Sequence, residues 1–430
     1  MAKTKLFDNA KFCFIGEIGH GNEPMSTTKM GESEWYKDRL AISVRNEQNS
    51  PYLTMEHIHK GAIEEGTIRL ICKEKDEDEK TKWIDVNVNE TENEEILNQV
   101  ADFAKITIDL ETDFDKKKEY TSLIFKKRNH EMENNKLLQQ EELSETEKQK
   151  IEENNTKIEE YSKQIKELAV NRKEFIMKDA IKFLNTALPV LKGLKVKVTG
   201  NPTINYHKGK ATLQYAPSMI EIVPNETENM LKVWTDIFYS KDDIDDDKKE
   251  KKMYINCYMG QHKSGQDKLY PVPILFDYTK VDESIPEQKA LLDYQKDTFE
   301  TKNKRIYYKN NVELNVIEGA EIVEFNEDCL TDKQKSQIKL GLATIEQFKP
   351  KGNTYGNRIK ELKFYRATLK DDFKDGAIES FDVDDLGDYL ESDDSDVSTK
   401  DVKEQKEEVK EEKVEESKSS NEDLMKQLFG

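Results

Sequence analysis

The chain has 430 residues and a formal net charge of −20, with 88 acidic residues against 68 lysines and arginines. At this length we expect two to four domains, because a single hydrophobic core stops growing near about 250–300 residues. The composition, 35% hydrophobic and 36% charged with no long apolar run, argues against a membrane-spanning helix and favours long solvated elements beside modest cores. Residues 1–5 begin no apolar signal segment, so we expect a soluble, cytoplasmic protein without membrane contacts.

Residues 1–115 predict a small β domain. A helix is predicted near Glu94–Ala104 and a short strand at Ile106–Leu110. Five strands are predicted before them, at Phe12–Gly16, Leu40–Val44, Tyr52–Met55, Thr67–Cys72 and Trp83–Val88. Five short strands and one helix are typical of an OB-type barrel and also of other small β-barrels, so both interpretations remain open.

Residues 116–186 predict two helices. Isoleucines at 151, 158 and 165 are seven residues apart, and a second series of the same spacing runs through Tyr161, Leu168 and Phe175. This is the apolar a/d seam of a coiled coil. Ser144 and Glu147 form a capping box that separates the second helix from a first one. The segment is either a coiled-coil helical hairpin or an arm through which the protein forms a homo-oligomer.

Residues 187–370 are again rich in predicted strands, and we expect one or two further OB-like β domains here. Lys195–Gly200, Thr203–Tyr206 and Ala211–Tyr215 alternate in hydrophobicity, and His207–Lys210 predicts the turn of a hairpin. A later helix near Pro286–Glu300 separates two groups of strands.

Several of these strands mix basic and aromatic residues, which is the pattern of a groove for single-stranded nucleic acid, since cations neutralise phosphates and aromatic rings stack on bases. In a regular strand Lys363 and Tyr365 face one side, and Phe364 and Arg366 face the other. Only one of these sides can meet a ligand. The predicted nucleic-acid-binding residues are Tyr355, Arg358, Lys360, Lys363, Tyr365, Arg366, Tyr206, Lys208, Lys210, Trp35, Lys37 and Arg39.

No enzyme signature stands out, so we expect a protein without catalytic activity and without a cofactor. His57 and His59 project from the same side of a predicted strand and are the best metal candidates. No cysteine or third histidine lies near them in sequence, and we therefore predict no metal site.

Residues 371–430 hold 22 acidic residues against 8 lysines. So low an apolar content predicts a disordered acidic tail. The tail ends in an apolar tip, and a flexible polyanion with such a tip is suited to compete for a cationic groove and to bind other proteins. The predicted partner-binding residues are Phe381, Tyr389, Leu428 and Phe429.

This layout resembles that of bacteriophage and bacterial single-stranded-DNA-binding proteins: OB-like β domains, basic-aromatic strands and an acidic tail ending here in Leu428-Phe429-Gly430. The resemblance implies non-catalytic binding of single-stranded DNA in replication or recombination, and recruitment of replication or recombination proteins by the tail. The fold class that we predict is α+β, mainly β, with OB-like β-barrel domains, an inserted coiled-coil hairpin and a disordered acidic tail. The alternative is a coiled-coil assembly protein or virion-associated structural protein whose tail only improves solubility.

Overall fold

The computed structural model of the chain is mixed α/β and mainly β, as the sequence predicts. The structure describes residues 6–47, 49–75, 81–140, 143–263, 266–301, 304–323, 330–349, 354–367 and 379–390. For residues 320–323, 354–358 and 379 only the backbone is described.

The strands in this part of the chain are β1 (Lys11–Lys29), β2 (Trp35–Arg45), β3 (Glu56–Lys60), β4 (Thr67–Lys75), β5 (Thr81–Asn87), β6 (Ile106–Asp109), β7 (Arg172–Phe175), β8 (Lys195–His207), β9 (Lys210–Ile222), β10 (Met230–Tyr239), β11 (Ile244–Asp247), β12 (Lys252–Lys263), β13 (Gln266–Asp277), β14 (Ile306–Val323), β15 (Thr354–Ala367) and β16 (Glu379–Asp382). The helices are α1 (Glu94–Gln99), α2 (Phe114–Leu138), α3 (Glu145–Leu168), α4 (Met177–Leu191), α5 (Pro286–Asp297), α6 (Asp332–Lys339), α7 (Ile345–Phe348) and α8 (Val383–Leu386).

All described strands except β4 and β5 belong to one large sheet, whose main path runs β11-β12-β13-β15-β14-β10-β1-β8-β9-β6-β7. The sequence predicts β4 and β5 as members of a unit within residues 1–115, but they form a hairpin of their own. Strand β1 instead pairs with β8 and β10, which follow the helical hairpin in the chain. Local strand patterns do not encode such distant pairing.

Five strand segments form what we term the N-terminal ring: β1, β2, residues 51–55, β8 and β9. Strand β1 pairs with β2 and β8, and β8 pairs with β9. Residues 51–55 close the ring, because the Leu53 amide donates to the Ile42 carbonyl at 2.9 Å and the Thr54 amide donates to the Tyr215 carbonyl at 2.8 Å. The closing pair, residues 51–55 with β9, is parallel. Between the third and fourth segments the chain inserts β3 to β7 and the hairpin, and then forms α4.

A C-terminal ring repeats this arrangement with β10, β12, β13, β14 and β15. Strand β10 pairs with β12 and β14, β12 with β13, and β14 with β15. The closing pair is again parallel, between Leu275 of β13 and Lys363 of β15. Helix α5 lies between the third and fourth strands in the chain and buries Leu292.

The two rings share one sheet and one core. Antiparallel pairing of β1 with β10 joins them, with Lys11 opposite Trp234. Across the junction the Ile204 amide donates to the Gln261 side-chain oxygen at 2.6 Å. Side chains of both rings, Phe14 among them, pack in a single buried cluster. The rings therefore hold each other in a fixed relative position.

Helices α2 and α3 form the predicted helical hairpin. The capping box is confirmed, since the Glu147 amide donates to Ser144 Oγ at 3.3 Å and the Ser144 amide donates to Glu147 Oε2 at 2.8 Å. The most buried residue of α3 is polar: Asn154 is 3% exposed, and its Nδ2 donates to Asn134 Oδ1 at 2.9 Å. Asn154 lies seven residues before Tyr161 and therefore belongs to the same predicted seam. The interface between the helices is thus more polar than the isoleucine spacing predicts.

Buried ion pairs fix the base of the hairpin to the sheet. Lys117 of α2 lies 2.8 Å from Glu221 of β9 and 3.5 Å from Asp109 of β6. Asp109 is 1% exposed and also pairs with Arg172 of β7 at 3.5 Å. Removing one member of such a network would leave a buried charge without compensation, so the network strongly restricts the hairpin's orientation.

Residues 379–390, which we term the acidic strap, lie within the predicted disordered tail but form β16 and α8. Strand β16 pairs with residues 306–309 of β14. The strap buries Leu386 in a cluster with Phe7, Phe238, Leu269 and Tyr307 at one end of the C-terminal ring. Burial of its apolar side chains offsets the entropy cost of ordering this segment, which its acidic residues do not offset. The remaining tail residues, 371–378 and 391–430, lie outside the described residues.

None of the described helices is both long enough and apolar enough to cross a membrane.

Replacing Asn154 by alanine should destabilise the hairpin, because the buried Asn134 Oδ1 would lose the hydrogen bond that Asn154 Nδ2 donates to it. We expect the free energy of unfolding to fall by about 1–3 kcal/mol, measured by urea denaturation followed by circular dichroism. Lys157→Ala, at an exposed position of the same helix, is the control and should change stability by less than about 0.5 kcal/mol. Equal stability of the two variants would contradict a polar interface.

Candidate nucleic-acid interface

Strand β15 borders three clefts. The first, of about 350 Å³, lies between β9, β12, β13 and β15. The second, of about 520 Å³, lies between β2, residues 52–54, β9 and β15. The third, of about 620 Å³, lies between β13, β14, β15 and the C-terminal part of α5. Lys360 lines the first and second clefts, and Glu361 lines the first and third, so the three clefts adjoin along β15.

Three of the predicted cations meet at these clefts although they come from distant parts of the sequence. Arg39 lies on β2, Lys210 begins β9, and Lys360 lies on β15. Arg39 Nε is 3.6 Å from Glu56, and Lys360 Nζ is 3.4 Å from Glu318. About half of each cationic side chain remains exposed, 49% and 47%. Glu56 is partly exposed, and ion pairs of exposed side chains contribute only about 0–1 kcal/mol, so an incoming anion can compete for Arg39. Lys360 pairs with the buried Glu318, and its exposed half faces the clefts.

Two exposed tyrosines lie beside these cations. Tyr254 of β12 lines the first cleft and is 40% exposed; Tyr52 lines the second and is 44% exposed. Neither tyrosine is among the binding residues that the sequence predicts. The alternation of β12 could have identified Tyr254. Met253, Ile255 and Cys257 are buried on one face of this strand, so Tyr254 lies on the opposite face. Cation and ring surface are therefore adjacent in both clefts.

At the third cleft a β-bulge changes which side chains share a face. Leu314 of β14 lies opposite Phe364, but Glu313 lies opposite Arg366, so Tyr365 has no direct partner across the strands. Phe364 is buried, whereas Tyr365 is 46% exposed. Arg366 Nε lies 2.7 Å from Glu313 Oε2 rather than in the core. The prediction that Arg366 faces away from Tyr365 is therefore wrong, because a bulge interrupts the period of two.

Lys363 is held by Asp277. Its Nζ donates to Asp277 Oδ2 at 3.0 Å, and Thr279 Oγ1 donates to Oδ1 of the same carboxylate at 2.7 Å. Burial by itself would raise the pKa of Asp277, but the hydrogen bonds from Thr279 and Lys363 outweigh it and lower that pKa to about 2. Lys363 is thus less available to a second anion than Lys360 is.

Other predicted residues lie farther along the same strands. Lys37 pairs with Glu56 at 3.4 Å, next to Arg39, and Trp35 is 49% exposed at the start of β2. Tyr206 is half-buried, with its ring centroid 5.7 Å from that of Tyr270. Lys208 occupies the turn between β8 and β9 with φ of 50°. These residues line none of the three clefts.

The remaining predictions have different outcomes. The side chains of Tyr355 and Arg358, and all of Leu428 and Phe429, lie outside the described residues. Phe381 is half-buried within the chain itself, its ring centroid 5.8 Å from that of Phe238. Tyr389 likewise packs on the apolar cluster under the strap. Both side chains are thus partly covered by the chain itself, and their role in binding a partner protein stays a prediction.

The histidine pair lies on the same face of β3, as predicted. The rings of His57 and His59 stack with centroids 5.8 Å apart. His57 Nε2 lies 3.0 Å from Glu64, and His59 Nε2 lies 3.4 Å from Asp38. Within the described ranges no group of three or more histidine, cysteine or acidic side chains is placed to hold a metal ion.

Comparison of the chain with protein-family models, with curated proteins and with solved structures found no match.

The Asp277–Lys363 pair should make stability depend on pH. The pKa of Asp277 is about 2 in the folded protein against 3.8 as its ordinary value, so the ionised carboxylate stabilises the fold above about pH 4. This contribution is lost as the pH falls from about 4 to about 2. In Lys363→Gln, we expect the free energy of unfolding to be lower than in the wild type at neutral pH. The difference should shrink over that acidic range in urea titrations.

Lys280→Gln is the matched control, because this exposed lysine lines the same cleft. Its difference from the wild type should not change between pH 2 and 4 in the same titrations. A Lys363→Gln difference that stayed constant with pH would show that Lys363 does not hold Asp277.

Proposed function

We propose that this protein binds single-stranded DNA without catalysis, along the clefts beside β15, in DNA replication or recombination. The observation that carries the proposal is the convergence of Arg39, Lys210 and Lys360 on adjoining clefts that also hold Tyr52 and Tyr254. A sequence-tolerant groove for single strands needs this combination, because cations follow the phosphates and aromatic rings stack on the bases.

The size and setting of the clefts favour a single strand over a duplex. Each cleft is partly apolar, with a volume between about 350 and 620 Å³ that suits individual bases rather than a helix of paired strands. Unstacked bases can enter such clefts, whereas the bases of a duplex are stacked within it. The exposed tyrosines give each base an apolar face to cover.

The strand connectivity supports the proposal. We infer that each ring is an OB-type barrel: five members, which are all strands except the extended residues 51–55, a parallel closing pair, and a helix between the third and fourth members. Barrels of this type bind oligonucleotides on the face of their second and third strands and on neighbouring loops. Tyr254 lies on β12, the second strand of the C-terminal ring, and Pro273 of the first cleft lies on β13, the third.

The acidic tail would add competition and recruitment. Residues 391–430 contain 14 acidic residues against 7 lysines, a net charge of −7, beyond the strap that packs on the body. A polyanion tethered to the protein competes with DNA for exposed cations. In this proposal the apolar tip with Leu428 and Phe429 recruits replication or recombination proteins.

Neutralising the cleft cations should weaken binding in a salt-dependent manner. The triple variant Arg39→Gln, Lys210→Gln, Lys360→Gln removes three candidate phosphate contacts. We expect the slope of log affinity against log salt to become shallower by about 2, at about 0.7 per phosphate contact on a single strand. The measurement is fluorescence anisotropy with labelled dT oligomers at several salt concentrations.

A control triple variant removes the same charge from exposed positions of α3: Lys148→Gln, Lys157→Gln, Lys163→Gln. Its slope should match that of the wild type. If the slope becomes shallower by the same amount in both triple variants, binding depends on the overall charge of the protein rather than on these clefts.

The tyrosines should act differently from the cations. Tyr254→Ala should weaken binding by roughly 1–3 kcal/mol with little change in the salt slope, because stacking releases no counterions. Phe125→Ala, which removes a 65% exposed ring from α2, is the control and should bind as the wild type does. Unchanged affinity in Tyr254→Ala would remove the first cleft from the binding path.

A wild-type protein that binds no oligonucleotide at low salt would overturn the proposal as a whole. The alternative would then be an assembly or structural protein that interacts through the helical hairpin. The exposed Phe125 and Met132 of α2 are compatible with that role.

A further inference from the structure

A buried acid stands behind the exposed ring of Tyr365. Glu313 of β14 is 2% exposed, yet it lies directly beside the third cleft. Its carboxylate accepts hydrogen bonds from two cations on the neighbouring strands, Lys232 of β10 and Arg366 of β15, the second at 2.7 Å. Burial would raise the pKa of Glu313, but the two cations outweigh burial and lower it, so the carboxylate is ionised at neutral pH.

Both cations also contact the ring. Lys232 Nζ lies 4.0 Å from the centroid of Tyr365, and Arg366 Cζ lies 5.6 Å from it. These are distances at which a cation is attracted to an aromatic face. The bulge supplies this geometry, since it turns Tyr365 and Arg366 toward the same side of β15. Glu313 thus sets the positions of both cations, and the cations border the ring.

An acid at this position opposes nucleic-acid binding by charge alone. A carboxylate repels phosphates, and the two cations that it pairs with have less charge to offer them. Its presence beside two cations and an aromatic ring therefore needs a compensating role. Holding long, flexible side chains in one arrangement is such a role, because it removes the entropy cost of ordering them when a ligand binds.

We propose that Glu313 is a positioning residue that holds Lys232, Tyr365 and Arg366 as a preassembled platform for one base and its adjoining phosphate of a single strand. This inference rests on the proposed function. It extends the binding path from the first two clefts onto the outer face of β10, β14 and β15, where Trp234 lies opposite Glu313 in the sheet. Lys232, Trp234 and Glu313 are not among the binding residues that the sequence predicts.

The test depends on the direction of the effect. Glu313→Gln keeps the size of the side chain and removes its charge. If Glu313 only repels phosphates, this variant should bind dT oligomers more tightly. If Glu313 positions the platform, the variant should bind about 5- to 150-fold more weakly, the range for one lost stacking contact. That loss should persist at about 0.5 M salt, where long-range charge effects are screened.

Glu361→Gln is the matched control. Glu361 is an exposed acid on the same strand and lines the first and third clefts. Removing its charge should leave oligonucleotide affinity unchanged or raise it. Weaker binding in Glu313→Gln together with unchanged or tighter binding in Glu361→Gln supports positioning, and tighter binding in both overturns it.

A second readout reports the platform without relying on affinity. The chain has only 8 arginines, so the Nε–Hε signal of Arg366 can be assigned in nitrogen-15 spectra by comparison with Arg366→Lys. We expect this signal to be sharp in the wild type, to shift when dT oligomer is added, and to broaden or move in Glu313→Gln. An Arg366 signal that is unaffected by the substitution would overturn the inference.

The outcomes separate the inference from the proposed function. If the wild type binds oligonucleotide and Tyr254→Ala weakens binding, but Glu313→Gln binds as the wild type does, then only the platform is wrong. If the wild type binds nothing, the function itself fails. If Glu313→Gln does not fold, Lys232→Met tests the platform instead. This variant removes one of the two cations and leaves Glu313 paired with Arg366. Unchanged affinity in that variant would also overturn the platform.

Discussion

Pairing between β1 and β10 is the constraint on which the rest of the structure depends. Through it, two rings that are each closed by their own strands become parts of one sheet with one core. The position of β9 relative to β12 and β13 follows from this pairing, and the first cleft is the space between them. Residues on β2, β9 and β15 line adjoining clefts because this pairing brings the two rings together.

Charge pairing holds the cations of this surface in place without covering them. Lys360 and Arg366 each pair with a carboxylate that is almost wholly buried, yet 47% and 64% of their side chains remain exposed. Arg39 is likewise about half exposed beside Glu56. A protein with net charge −20 can therefore still present a local cationic path.

The sequence predicted the local elements well, because period-two alternation and capping boxes are short-range signals. The strands near Leu40 and Thr67 and the Ser144 cap are at the predicted positions. The sequence did not predict how the rings close, since β1 finds β8 and β10 only across a long insertion. The predicted face of Arg366 is wrong because the sequence pattern gives no indication of the β-bulge beside it. The strap was predicted to be disordered because its composition is acidic, but a few apolar side chains are enough to pack it on the body.

The long insertion within the N-terminal ring has a consequence for synthesis on the ribosome. Strand β1 emerges early, but β8 and β10 begin only at residues 195 and 230. At about 5–20 residues per second, the roughly 200 residues between β1 and β10 take about 10–40 s. During that time residues 12–15 of β1 lack the partner strands of both edges, and an unpaired edge readily pairs with other chains. The capped hairpin, whose contacts are local, can fold within that interval and shorten the effective loop that β1 must close.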